Sequence, residues 1–188
     1  MPARKPRKLP QVLAENEPEL IVEAASTQRE RLMLLLMLVC GLRVSEVARL
    51  RVDHLDFRRR AMWVRESKNK RDRLIPLPRH LVGPLRGYVG ARRDGPVFVS
   101  PRGGHYTKRA LQKMLKRCAV AAGISDAMTP RVRCHALRHV FCVRLLEAGV
   151  PIHEVRDLMG HSDLTSTNEY ANTSPERLRD AIERPYLA

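Results

Sequence analysis

The sequence predicts a single domain, mainly α-helical, with a small three-stranded antiparallel β-sheet (α+β). Three observations carry that prediction. From Glu17 to about Leu50 the apolar residues recur at helical spacing. Between His54 and Leu77 the pattern changes to short β-type segments separated by polar turns. From Cys134 onward, helical segments punctuated by glycine and proline follow one another. A chain of 188 residues is about one domain, long enough to bury roughly 70% of its unfolded surface without a disulfide or metal staple.

Taken in order, "MPARKPRKLP" (residues 1–10) is a basic, proline-spaced arm or linker that cannot be helical throughout. The domain proper is expected over 11–188. Its first helical stretch is broken at Gly41, and "GLRVSEVARL" restarts a helix, which puts Arg43 at a helix entrance. "HLDF", "AMWVRE" and "RLIPL" are the three expected strands, with "RRR" and "SKNKRD" as the turns. After Pro78, "HLVGPLRGYVGARR" has helical spacing despite its glycines; a short "VFVS" segment and the turn "PRGG" follow. Thr107 caps a helix reaching Ala122 and stopped by Gly123. "CHALRHVFCVRLLEAG" ends at Gly149, Pro151 opens "PIHEVRDLMG", a short helix carries "LTSTNEYAN", and Ser174 with Pro175 starts a last one.

Charge narrows the partner. Thirty-five Lys and Arg against 20 Asp and Glu leave a formal +15, and a sequence pI near 10.6 points to a polyanion. Aromatic residues make up only 4%, too sparse for the stacking platforms that hold single strands, so double-stranded DNA is the expected partner. The four cysteines form no C-x-x-C pair and sit in apolar or helical patterns, as reduced thiols do. The basic N-terminus lacks an uninterrupted apolar run behind it, which argues against a secretory signal. "LMLLLMLVCGL" spans 11 residues between Arg31 and Arg43, short of the roughly 20 a bilayer needs, so it is expected to be a core helix. Together these features lead to an expected cytoplasmic, nucleoid-associated protein.

Several side chains carry possible chemistry. His135 and Arg138 stand three apart on one helix, spaced to share a face, and with other basic groups could clamp a phosphate. Cys134, His135, His139 and Cys142 compete as zinc ligands, since His135 and His139 have i,i+4 spacing. Arg138 beside the cation and the missing H-E-x-x-H carboxylate count against them. "LLEAGVPIHEVRDLMG" has the outline of a helix-turn-helix, but the following "SDLTSTNEY" carries Asp163 and Glu169 and no Lys or Arg, poorly made for lying on phosphates. Tyr170, in the small polar stretch "GHSDLTSTNEY", has little apolar company, which raises a nucleophile as the alternative to a packed ring.

"GLRVSEVARL", "HALRH" and "GHSDLTSTNEY", in that order and with the lysine-rich turn between strands, resemble the catalytic domain of the tyrosine recombinase (phage integrase) family, over about Leu9 to Ile182. The resemblance implies that family's DNA breaking-rejoining fold and a catalytic set of Arg43, Lys68, His135, Arg138, His161 and Tyr170. Met159 replaces the family's common Leu before Gly-His, a swap that conserves volume, and Asn172 stands where a His is frequent. The family's separate helical core-binding domain has no room in this chain.

What the resemblance implies chemically is DNA strand cleavage and rejoining without metal, cofactor or ATP. Tyr170 would attack the phosphate, giving a covalent 3′-phosphotyrosyl intermediate, while Arg43 and Arg138 donate paired hydrogen bonds to the non-bridging oxygens. His135 and His161 would donate to the same oxygens or accept the phenol proton, and Lys68 would protonate the departing 5′ oxygen. Site-specific recombination or integration is the expected function. Relaxation of the type IB topoisomerase kind and non-catalytic DNA binding by a decayed recombinase are the alternatives. Two or four copies are expected to assemble on DNA, with the tail near Leu178 and Ile182 docking on a neighbour or packing on its own chain.

Overall fold

The computed structural model describes residues 13–65, 72–124, 132–160, 179–180 and 182–183. Three helices open the fold: α1 (Glu17–Glu23), α2 (Gln28–Val39) and α3 (Val44–Arg49). The sequence pattern suggested one break before Leu50, at Gly41; the structure has another at Ala24–Thr27. Thr27 explains it, because its extended backbone and its side-chain oxygen, accepting from the Glu30 N–H, start a fresh helix. Leu32, Met33, Leu34, Leu36, Met37, Leu38 and Val39 of α2 are all buried. An apolar helix covered on every side sits at the centre of a domain, as expected for this run.

A turn of 3-10 helix (Val52–His54) leads into β1 (Leu55–Asp56), β2 (Ala61–Val64) and β3 (Arg73–Pro76), an antiparallel sheet in the order β1-β2-β3. Leu55 pairs with Met62, and Met62 with Ile75. Alternation places Met62 and Val64 on the core face and leaves Trp63 exposed. All three strands fall in the segments the sequence indicated.

Helix α4 (Arg79–Val89) tolerates Pro84 inside it, and α5 (Lys108–Ala121) starts at Thr107, whose hydroxyl accepts from the Ala110 N–H. "VFVS" forms no strand. Only single bridges occur there, Arg51 with Pro96 and Val99 with His105, because the backbone of this segment meets a partner at isolated points rather than along a ladder. Helices α6 (Cys134–Glu147) and α7 (Ile152–Met159) follow, α6 packing on α2 and α7 reaching β3. Ile182 is buried in the same core, and Glu183 accepts hydrogen bonds from Arg60 Nη1 (3.2 Å) and the Arg79 N–H (2.8 Å). These tail residues therefore pack on their own chain. Among the described residues no helix is long and apolar enough to cross a membrane.

Candidate active site at the end of helix α7

The last turn of an α-helix leaves carbonyl oxygens without intrahelical partners, and the helix dipole makes that end negative. In α7 these carbonyls are met by three arginines from three other elements. Arg73 Nε, from β3, donates to Leu158 O at 3.1 Å. Arg43 Nη2, from the α3 entrance, donates to Met159 O at 3.3 Å and Gly160 O at 3.2 Å. Arg138, from α6, donates through Nη2 to Met159 O and through Nη1 to Gly41 O. The two arginines singled out in the sequence thus converge on one carbonyl, Met159 O, from positions 95 residues apart in the chain.

Glu46 is the acid among them, its side chain only 7% exposed. Its carboxylate accepts from Arg43 Nη1 and from Arg73 Nη2, each at 2.9 Å, and from the Arg43 backbone N–H at 2.7 Å, with Arg138 Nη1 3.8 Å away. Burial alone would raise this carboxyl's pKa, but the Arg73 charge and the hydrogen bonds from Arg43 and Arg73 hold it below the ordinary value. Arg138 is 2% exposed. Burial, followed by the neighbouring Arg43 charge, lowers it to about 10, so it is cationic at neutral pH. Three guanidinium groups therefore face one carboxylate.

Two glycines make this approach possible. Gly41 has φ +62°, and a Cβ there would come within 2.6 Å of Phe141 Cε1. Phe141 lies one turn beyond Arg138 on α6, so the bare glycine lets α6 come close enough for Arg138 to reach the Gly41 carbonyl. Gly160 caps α7 in the left-handed region, φ +59°, with the Arg73 guanidinium lying on it: a Cβ would meet Arg73 Nη1 at 3.1 Å.

His135, on the same helix as Arg138, is exposed. The shared helix face expected for the pair is thus divided: Arg138 runs into the core and His135 opens to solvent. Lys68, His161 and Tyr170 lie outside the described residues, as do the 66–71 part of the turn, the "LTSTNEYAN" segment and the Ser174 helix start. The zinc spacing is not assembled. Cys134 is buried, its thiol pushed up to about 11 by that burial, while His139 is exposed. Among the described residues no group of three or more His, Cys, Asp or Glu gathers to hold a metal. The sequence reading missed Glu46 and Arg73. A glutamate three residues after a helix entrance is a readable signal, the third-position partner of a capping box, whereas Arg73 reads only as the first residue of a strand.

Comparison with known proteins finds relatives along nearly the whole chain. The phage integrase family profile matches residues 11–177. Tyrosine recombinase XerA of Thermococcus kodakarensis is 36% identical over 193 residues, covering 99% of this chain and 66% of that protein. The integrase of mycobacterium phage Brujita superposes with a TM-score of 0.80 at 30% identity, covering 97% of this chain and 61% of the phage chain. A crystal structure of XerA recombinase gives 0.74 at 25% identity, covering 100% of this chain and 68% of the other. The chain thus spans about two thirds of the length of the XerA relative. With the family profile spanning residues 11–177 and a relative 36% identical over nearly its whole length, the chain belongs to the phage integrase family.

Proposed function

We propose that this chain is the catalytic unit, over residues 11–188, of a site-specific DNA recombinase or integrase that cleaves and rejoins duplex DNA without metal or ATP. The observation that carries the reading is the meeting of Arg43 and Arg138 on the Met159 carbonyl, one residue before the Gly160–His161 step. A guanidinium carries five N–H donors, and the carbonyl bonds of Arg138 to Gly41 and Met159 use two of them. Donors from both side chains suit a scissile phosphate, on which they would stabilise charge gathering in the pentacoordinate transition state. The formal +15 of the chain supports a duplex DNA partner, as do relatives named as recombinases.

In the reaction the Tyr170 oxygen forms a bond to phosphorus as the bond from phosphorus to the 5′ oxygen breaks. The phenol proton passes to a histidine, His135 or His161, and Lys68 supplies a proton to the leaving 5′ oxygen. The phosphodiester is conserved in the 3′-phosphotyrosyl link, so attack by a 5′ hydroxyl of a second duplex reverses the step and exchanges strands. Two or four copies on DNA supply the partner duplexes, in the cytoplasm at the nucleoid.

The test is covalent capture on a pool of nicked duplexes with a randomised core. The wild-type chain should yield a heat- and detergent-resistant protein–DNA adduct, and Tyr170→Phe should bind the same pool yet yield none. An adduct that persists in Tyr170→Phe assigns the nucleophile elsewhere. Failure of the wild type to form one leaves the chain a DNA-binding protein only.

A further inference from the structure

We propose that Arg29, with the phenol hydroxyls of Tyr88 and Tyr106, forms a second phosphate seat, which holds a backbone phosphate of the duplex away from the cut; the inference rests on the duplex-DNA part of the reading above. Arg29 is the second residue of α2, half-buried, with its Cζ 5.4 Å from the centroid of the Tyr106 ring. A guanidinium stacked on an aromatic face keeps its N–H donors at the edge for an acceptor. Arg29 Nε is buried and has no hydrogen-bond partner among the described residues. Nor does a described carboxylate pair with it: neighbours in sequence do not face each other on a helix, and Glu30 turns to Arg117 of α5. Arg92 gives the contrast. It lies over the Tyr88 ring at 5.8 Å, and the carbonyls of Val89, Pro96 and Val97 take its N–H groups at 3.1, 2.9 and 3.1 Å. Of the two arginines on this aromatic pair, one is spent on backbone and the other has donors left for a ligand. Buried donors are normally met, so the second marks a seat for an anion.

The fold brings the two phenols to Arg29. Gln28 Nε2 donates to Pro84 O at 3.5 Å, which sets α4 beside the first turn of α2, and Tyr88 lies one turn beyond Pro84 on the same face. Phe98, in the core, holds the Tyr88 ring at a centroid distance of 5.6 Å. Burial raises the Tyr88 phenol above its ordinary value, while the Arg29 and Arg92 charges pull it back. It therefore keeps its proton at neutral pH and donates. Tyr106 is fixed between His105, whose Nδ1 lies 3.2 Å from Ala48 O, and the Thr107 cap of α5. Arg and Tyr side chains are both common donors to DNA phosphates. The exposed Arg102, Lys108 and Arg109 on either side of Tyr106 suit a phosphate that belongs to a polyanion rather than a free ion. Arg29 precedes Gly41 by twelve residues, roughly 18 Å along a helix, so the second phosphate should lie about half a duplex turn from the cut.

The probe is a duplex recovered from the randomised pool by binding, with a neutral methylphosphonate replacing one backbone phosphate at a time. The wild type should lose affinity at one position besides those around the cut, and in Arg29→Gln that penalty should vanish. Arg29→Gln should bind the unmodified duplex about tenfold more weakly, with the slope of log affinity against log salt smaller by about one. The double variant Tyr88→Phe/Tyr106→Phe, which keeps both rings, should weaken binding through the same position but leave the salt slope, because a phenol carries no charge. It decides the matter if Arg29→Gln does not fold. Methylphosphonate penalties identical in Arg29→Gln and wild type, or an unchanged salt slope, would overturn the inference. So would thermal stabilisation by inorganic phosphate that Arg29→Gln loses with no change in duplex binding, the mark of a free-anion site. A wild type that shows the Arg29-dependent position yet forms no adduct brings down the recombinase reading and keeps this inference, whereas an adduct-forming wild type with an indifferent Arg29→Gln brings down this inference alone.

Discussion

Helix α2 has an Arg–Glu cluster at each end, and the two differ in how many arginines gather on the carboxylate. At its N-terminal turn Glu30 accepts from Arg117 of α5, one acid to one base, and Arg117 remains 59% exposed. Just past its C-terminal end, Gly41 O receives Arg138 in a cluster where three arginines share Glu46 and the carbonyls of α7. At about 1.5 Å rise per residue the 12-residue helix separates them by roughly 18 Å. The first cluster bridges two helices, with the carboxylate buried and the arginine largely in solvent, where screening weakens the pair. The second gathers three guanidinium groups on one buried carboxylate and on the carbonyl end of α7, which places several N–H donors together where an anion could be held. The same residue types thus make a brace at one end of a helix and a candidate anion site at the other, and the number of arginines gathered on one carboxylate tells them apart.

Substitution should separate the two clusters most sharply at Arg138. Arg138→Ala is expected to slow adduct formation by about 10²–10³-fold, the cost of losing a principal transition-state donor, while gel-shift affinity for duplex DNA changes little. Arg138→Lys should not restore the rate, because an ammonium cannot span the Gly41 and Met159 carbonyls as a planar fork does. A lysine variant working at the wild-type rate would break the comparison.

Next comes the glycine that admits Arg138. Gly41→Ala should lose roughly 2–5 kcal/mol in urea denaturation, combining the left-handed backbone penalty with overpacking against Phe141. Gly149 has φ +76° but open space around the missing Cβ. Gly149→Ala should lose only the backbone part, about 1–2 kcal/mol. Equal losses at both positions would show that the close approach of α6 does not depend on Gly41.

The smallest effect belongs to the N-terminal cluster. Arg117→Ala should change stability by less than about 1 kcal/mol, given its exposure, and should leave adduct formation as in the wild type. A cleavage defect there would mean that the two ends of α2 are coupled.

Local chemistry in the sequence was enough to determine helices α3 to α7, the three strands, the Thr107 cap and the position of Arg43 at a helix entrance. Periodicity, caps and turn residues act over a few positions, so they can be read in order along the chain. The motifs around Arg43, His135, Arg138, His161 and Tyr170 were equally legible as a resemblance, because order and spacing survive without coordinates. What only the tertiary structure decided is which of these side chains meet. Burial divides Arg138 from His135 although both lie on α6, and no local rule says which turn of that helix faces Gly41. Thr27 was readable as a cap but was hidden by the apolar run behind it. Glu46 and Arg73 join the site through contacts between positions 27 residues apart, and Arg138 meets Gly41 across 97. Such pairings arise when packed helices and a sheet edge bring the carbonyl end of α7 against three cations, and the physical reason is non-local: a buried charge is tolerated only where distant parts of the chain supply its partners.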